Sequence, residues 1–167
     1  MARPPRIVYN TGMTVAEKLV EILKAQGLVC ATAESCTGGG VGSAITSVPG
    51  SSEVFAGGVV SYSNAVKRDV LGVSQESLDR CGAVSAEVAS EMASGARRLL
   101  KADIAVSVTG IAGPGGGTKE KPVGLVWFGI SSDGGTRTEK VIFAGDRGRV
   151  REQAVLHALG MLTVAAT

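Results

Sequence analysis

The sequence predicts an α/β protein, a three-layer α/β/α sandwich on a mixed, mostly parallel sheet of about five strands. Two observations carry this reading. Three short apolar strands alternate with helical segments, the order that builds a parallel sheet with helices on its faces. Later in the chain, Asp133-Gly134 separates two apolar runs, the signature of a hairpin and hence of one antiparallel element.

The elements follow in order. Thr14 and Glu17 form a capping-box pattern, and VAEKLVEILKAQ places apolar residues at helical spacing until Gly27 stops it. LVCATA, at 28–33, is a short strand apolar on both faces. A helix is expected at about 38–47, ended by Pro49-Gly50, and a second strand at 54–62, VFAGGVVSY, weakened by its glycines. Asn64 to Leu71 reads as a short helix closed by Gly72, and Ser74 caps another before Gly82. Ser85 caps AEVASEMASGARRLLK, whose basic residues gather at the C-terminal end, where the helix dipole favours them. DIAVSVTG, at 103–110, is the third strand. The hairpin of VGLVWFGIS and RTEKVIF follows, then a final helix at about 147–162 capped by Asp146.

Composition narrows the function classes. A chain of 167 residues is read as a tail at 1–11, poorly ordered, followed by one domain at 12–167. Its 24 glycines far exceed the usual share of about 7%, and they cluster in loops without a repeating period. The net charge is only +2, the densest basic run is the short DRGRVR at 146–151, and aromatic residues make up 4%. A broad basic face and stacking platforms are both missing, which argues against nucleic acid as a partner. Cys30, Cys36 and Cys81 are an odd count without paired metal-ligand spacing, arguing against a disulfide framework or a zinc site and for a reducing cytoplasm. Neither a signal-peptide core nor a membrane-length apolar run is present.

Three unusual stretches lie where the parallel strands should end: ESCTGGG, SYSNAVK and TGIAGPGGG. In open α/β sheets ligands collect beyond those ends, so the convergence predicts a site. The nucleotide motifs fail, because GPGGGTKE has Thr118 where a P-loop needs glycine and GGGVGS lacks the third glycine of the dinucleotide fingerprint. Ser35 is either a helix cap or a nucleophile at a strand-to-helix junction. Cys36 is an alternative nucleophile or a small buried hydrophobe. The only histidine, His157, falls in the final helix, where packing or exposure explains it better than catalysis. Lys67, on an apolar background, can serve as a base if a cleft strips its solvent. Tyr62 would relay a proton, fix the lysine or simply end a strand, and Thr109 would orient the lysine, bond substrate or close the third strand. Backbone amides from Cys36 to Gly38 can receive an oxyanion.

Together AESCTGG, GSSEVFAGGVVSYSNAVKRDVLGV, GAVSAEVASEMASGAR, ADIAVSVTGIAGPGGGTKEKPVGLVWFGI and FAGDRGRVREQAV resemble the CinA C-terminal domain family, which includes stand-alone nicotinamide-nucleotide amidases. The match runs from about residue 12 onward. The resemblance implies hydrolysis of the carboxamide of nicotinamide mononucleotide to nicotinate mononucleotide and ammonia, in pyridine-nucleotide recycling. It implies a serine–lysine mechanism with no metal and no cofactor, with Ser35 as nucleophile, Lys67 as base, and Tyr62 and Thr109 beside them. The substrate is then expected against Cys36, Thr37, Gly38, Gly39, Asn64, Gly110, Gly113, Gly115, Gly116 and Arg147. Its phosphate would lie at Gly38-Gly39 or around Gly113 to Gly117, with Arg147. Family members often carry a bulky residue at Gly40 and read NEAK where this chain has Asn64-Ala65-Val66-Lys67; an enlarged pocket and a lost carboxylate are the expected consequences. Two other readings stay open: a non-catalytic nucleotide-binding or interaction domain linked to competence or DNA damage, and an amidase for a different carboxamide. A homo-oligomer is expected.

Overall fold

The computed structural model describes residues 12–167, so the tail read at 1–11 lies outside the described residues. In chain order the elements are α1 (Val15–Gln26), β1 (Cys30–Glu34), α2 (Gly40–Thr46), a 3-10 turn (Ser51–Glu53), β2 (Phe55–Val60), α3 (Asn64–Asp69), α4 (Gln75–Cys81), α5 (Ala86–Leu99), β3 (Ile104–Gly110), β4 (Leu125–Ser132), β5 (Gly135–Ile142) and α6 (Arg147–Ala165). The sheet order is β2-β1-β3-β4-β5. β1 pairs in parallel with β2 and β3, whereas β4 runs antiparallel to β3 and β5. β4 alone opposes the other four strands, as the single Asp-Gly hairpin predicts.

Local chemistry explains the boundaries. Thr14 and Glu17 close the capping box at α1, the Glu17 carboxylate accepting from the Thr14 amide at 2.6 Å, and Gly27 ends the helix in the left-handed region at φ +66. The first strand begins at Cys30 rather than 28, because the Val29 amide donates to the Asp103 carboxylate at 2.8 Å instead of entering the ladder. α2 begins at Gly40 rather than about 38, because Gly38 and Gly39 are both left-handed, at φ +59 and +95. Those conformations turn the chain from strand into helix and are open to glycine at little cost.

Side-chain alternation sets the two faces. Ile104, Val106, Val108, Val126, Phe128 and Ile130 pack with α1, α2 and α6 in one core. The opposite face offers Ala31, Ala33 and Ala105 to α5 and to Leu71, Val73 and Leu78. These small residues let α5 approach closely: Ser107 Oγ donates to the Ala89 carbonyl at 2.5 Å, opposite Gly129 of β4. A Cβ on Gly129 would meet Ser107 Oγ at 2.6 Å and also the Ala89 carbonyl oxygen. Gly129→Ala is therefore expected to destabilise the fold by about 1–3 kcal/mol through overpacking, read as a lower denaturant midpoint at unchanged m value.

Because β1 lies between β2 and β3, the C-terminal ends of three parallel strands stand side by side. The Ser35 amide still pairs with the Val108 carbonyl at 2.9 Å, and the Ser61 amide with the Glu34 carbonyl at 2.8 Å. Those two bonds place residue 35 beside the segment leading into α3.

Candidate active site

Ser35 leaves β1 where three strand ends meet, in a cleft of about 210 Å³ lined by Ser35, Cys36, Tyr62, Asn64, Lys67, Ala83, Val84, Thr109, Gly110, Ala112 and Arg147. A larger groove of about 760 Å³, between α1, α6 and β5, holds none of these residues and is mostly apolar. Among the described residues, the smaller cleft is where a buried amine meets a hydroxyl.

That amine is Lys67, which is only 1% exposed, and its Nζ lies 3.0 Å from Ser35 Oγ. Ser63 caps α3 by accepting from the Val66 amide, and Lys67 follows as the fourth residue of this short helix. Helical side chains lean toward the N-terminus, and Lys67 reaches back to donate to the Ser61 carbonyl at 2.7 Å and the Tyr62 carbonyl at 3.4 Å. Burial disfavours the ammonium and holds Lys67 below the ordinary lysine value of 10.5. A neutral amine has two N–H donors and one lone pair. The Ser35 hydroxyl and the two carbonyls are the three acceptors that the ammonium meets; once the amine is neutral it has one donor fewer, and its lone pair can take the hydroxyl of Ser35.

Glu34, one residue before the serine, is 1% exposed and was not among the residues singled out as functional. Its carboxylate accepts from the amides of Gly39 at 3.1 Å, Val41 at 3.0 Å and Gly42 at 2.9 Å. The Gly38 amide donates to the Ser35 carbonyl at 3.1 Å. The amides of Gly38 and Gly39, expected to face a phosphate, are thus committed within the protein, and neither glycine lines the cleft. On the turn itself, the amides of Cys36 and Thr37 have no acceptor in another residue among the described residues. The only sequence signal for Glu34 was a carboxylate standing before a glycine-rich helix start, a place the helix dipole favours.

The other expected residues divide. Cys36 lines the cleft, but burial pushes its thiol up to about 11, which leaves it unsuited to nucleophilic attack. The Thr37 side chain is buried with its hydroxyl oxygen unpartnered among the described residues. Tyr62 is 64% exposed, and its hydroxyl meets an Arg147 guanidinium N–H at 3.4 Å rather than Lys67. Tyr62 thus holds the lysine through its carbonyl. Thr109 donates to the Ala83 carbonyl at 2.8 Å, tying the α4–α5 connection to the strand end, and does not hydrogen-bond Lys67. Asn64 and Gly110 line the cleft, whereas Gly113, Gly115 and Gly116 do not. Gly113 bears on the site indirectly, its carbonyl accepting from Arg147 at 2.9 Å. His157 packs on Phe128 with ring centroids 4.5 Å apart, the structural role expected for it.

Comparison with known proteins follows the same lines. A family model described as the CinA C-terminal domain matches residues 12–165. The chain belongs to the CinA C-terminal domain family. It is 49% identical to the Escherichia coli (strain K12) protein named nicotinamide-nucleotide amidohydrolase PncC, over 90% of this chain and 92% of that one. It is 50% identical to a putative competence-damage inducible protein of Caldanaerobacter subterraneus subsp. tengcongensis, over 87% of this chain. The match spans only 35% of that longer relative. Among solved structures, the competence/damage inducible protein CihA of Agrobacterium tumefaciens superposes with a TM-score of 0.88 at 44% identity, covering 91% of this chain and 93% of that one. A CinA superfamily protein from Escherichia coli gives 0.88 at 38% identity, over 94% and 93%.

The two departures from the CinA pattern sit away from the cleft. A Cβ on Gly40 would meet Val155 of α6 at 2.9 Å, so this glycine sets the approach of two helices and does not enlarge the pocket. Ala65, which replaces a carboxylate of the family pattern, is exposed on α3 and lines no part of the cleft.

Proposed function

We propose that this chain hydrolyses the carboxamide of nicotinamide mononucleotide, with Ser35 as nucleophile and Lys67 as base. The observation that carries the reading is the buried Lys67 amine 3.0 Å from the Ser35 hydroxyl, its other partners among the described residues being the Ser61 and Tyr62 carbonyls. The 49% identity to a protein named for nicotinamide-nucleotide amidohydrolysis points to the substrate.

Lys67 takes the hydroxyl proton as Ser35 Oγ attacks the carboxamide carbon. The amides of Cys36 and Thr37 receive the oxyanion. The Lys67 ammonium then protonates the departing nitrogen, the C–N bond breaks, and ammonia leaves an acyl ester on Ser35. A water deprotonated by Lys67 attacks that ester, the proton returns to Ser35 Oγ, and nicotinate mononucleotide is released. The cleft, at about 210 Å³, is smaller than the about 300 Å³ or more that encloses a drug-sized ligand. It takes the ring and carboxamide, leaving the ribose phosphate at the mouth beside Arg147.

The test is ammonia release with nicotinamide mononucleotide and, in parallel, its nucleoside without phosphate. Release from the nucleotide that survives a chelator is the expected result; none from the wild-type protein overturns the reading. Arg147→Ala should raise KM for the nucleotide about tenfold or more and leave the nucleoside nearly unaffected, since only one of them offers a phosphate to a guanidinium. An equal loss for both would place the phosphate elsewhere.

A further inference from the structure

We propose that Arg151 is a positioning residue of the nucleophile turn: its guanidinium holds two successive carbonyls and thereby aims the Thr37 amide, one of the two that receive the oxyanion. The inference rests on the serine–lysine reading above.

Arg151 lies on α6, 115 positions after Cys36. Its Nε donates to the Cys36 carbonyl at 3.1 Å and a terminal N–H donates to the Thr37 carbonyl at 3.3 Å. The Cys36 carbonyl shares a peptide plane with the Thr37 amide, and in a trans peptide the N–H points opposite to the C=O. Clamping that carbonyl therefore fixes the direction of the Thr37 N–H, away from Arg151. A planar fork holds two peptide planes at once, which the point charge of a lysine does not.

The turn needs such a clamp. It ends in two left-handed glycines, and the Thr37 hydroxyl has no partner among the described residues that would fix it. Glu34 grips the amides after the turn, and Arg151 grips the carbonyls on it, so the segment hangs between two opposite charges. Arg147 stands four residues earlier, on the same face of α6. It borders the cleft, whereas Arg151 does not, so the two guanidinium groups divide the work. One meets substrate; the other shapes the groups that react with it.

Kinetics of Arg151→Met and Arg151→Lys test this, together with the rate at which a fluorophosphonate probe labels Ser35. Arg151→Met should lower kcat about 100-fold, the loss expected when one oxyanion donor is misaimed, with KM within about twofold of wild type. Labelling should slow in parallel, because the probe draws on the same amides. Arg151→Lys should lose about tenfold in both, as one carbonyl regains a donor. Unchanged kcat and labelling in both variants overturn the proposal, as does a rise in KM alone. Should Arg151→Met lose its near-ultraviolet circular dichroism, Arg151→Lys decides, and wild-type rates in it overturn the proposal. If wild-type protein releases no ammonia, the amidase reading fails while Ser35 labelling still decides the role of Arg151.

Discussion

Ser35→Ala is expected to lower ammonia release from nicotinamide mononucleotide by about 10⁴-fold or more, the scale on which loss of a serine nucleophile acts elsewhere. The structure says why the loss should be chemical and not structural. Ser35 is held by its backbone, the amide pairing with Val108 at 2.9 Å and the carbonyl accepting from Gly38 at 3.1 Å, and none of this involves the hydroxyl. The side chain contributes one hydrogen bond, to Lys67, which keeps its two carbonyl partners. Thermal midpoint and circular dichroism should therefore stay close to wild type while turnover collapses. Activity falling by less than about 100-fold would mean that Lys67 activates a water directly, with no acyl-enzyme.

Lys67→Arg carries the second large effect. Arginine stays charged throughout the accessible pH range, so it cannot accept the Ser35 proton, and kcat should fall about 10³-fold or more with no recovery at high pH. In the wild type, kcat/KM should rise with pH as Lys67 deprotonates, along a limb centred below the ordinary lysine value of 10.5, because burial penalises the ammonium. The same shift has a consequence for stability. The folded value lies below the unfolded one, so between the two the unfolded chain binds more protons and stability rises with pH. The contribution is complete above the unfolded value and is lost as pH falls through the folded one. Lys67→Met has no proton to exchange and should flatten that slope, measured as denaturant midpoint against pH. A kcat/KM limb at the ordinary lysine value, or an active arginine variant, would remove Lys67 from the role of base.

The elements legible from the chain alone are those governed by contacts within a few residues. The capping box at Thr14 and Glu17, the stop at Gly27, the hairpin at Asp133-Gly134 and the alternation of strands with helices all appear where local spacing puts them. The same spacing put the three glycine-rich or polar segments at one edge of the sheet, and the motifs they carry led to Ser35 and Lys67. What the glycines do is not legible from the chain alone. Their φ values suit a ligand approaching the backbone and equally suit a carboxylate from the preceding residue, and only side-chain direction separates the two. Glu34 points inward and takes the amides. Arg151 was invisible for a different reason. Its partners lie 115 and 114 positions away, and nothing about a third arginine in a short basic run distinguishes it from its neighbours.

Residue order thus determined which chemical groups this protein carries and which strand ends present them, because secondary structure and strand alternation follow from local periodicity. Tertiary structure decided which of those groups meet, and in what state. Ser35 and Lys67 are 32 positions apart, and they touch because β2 lies beside β1. Lys67 is held below the ordinary lysine value because packing removes water from its amine, and desolvation is a property of everything around a side chain, most of it distant in sequence.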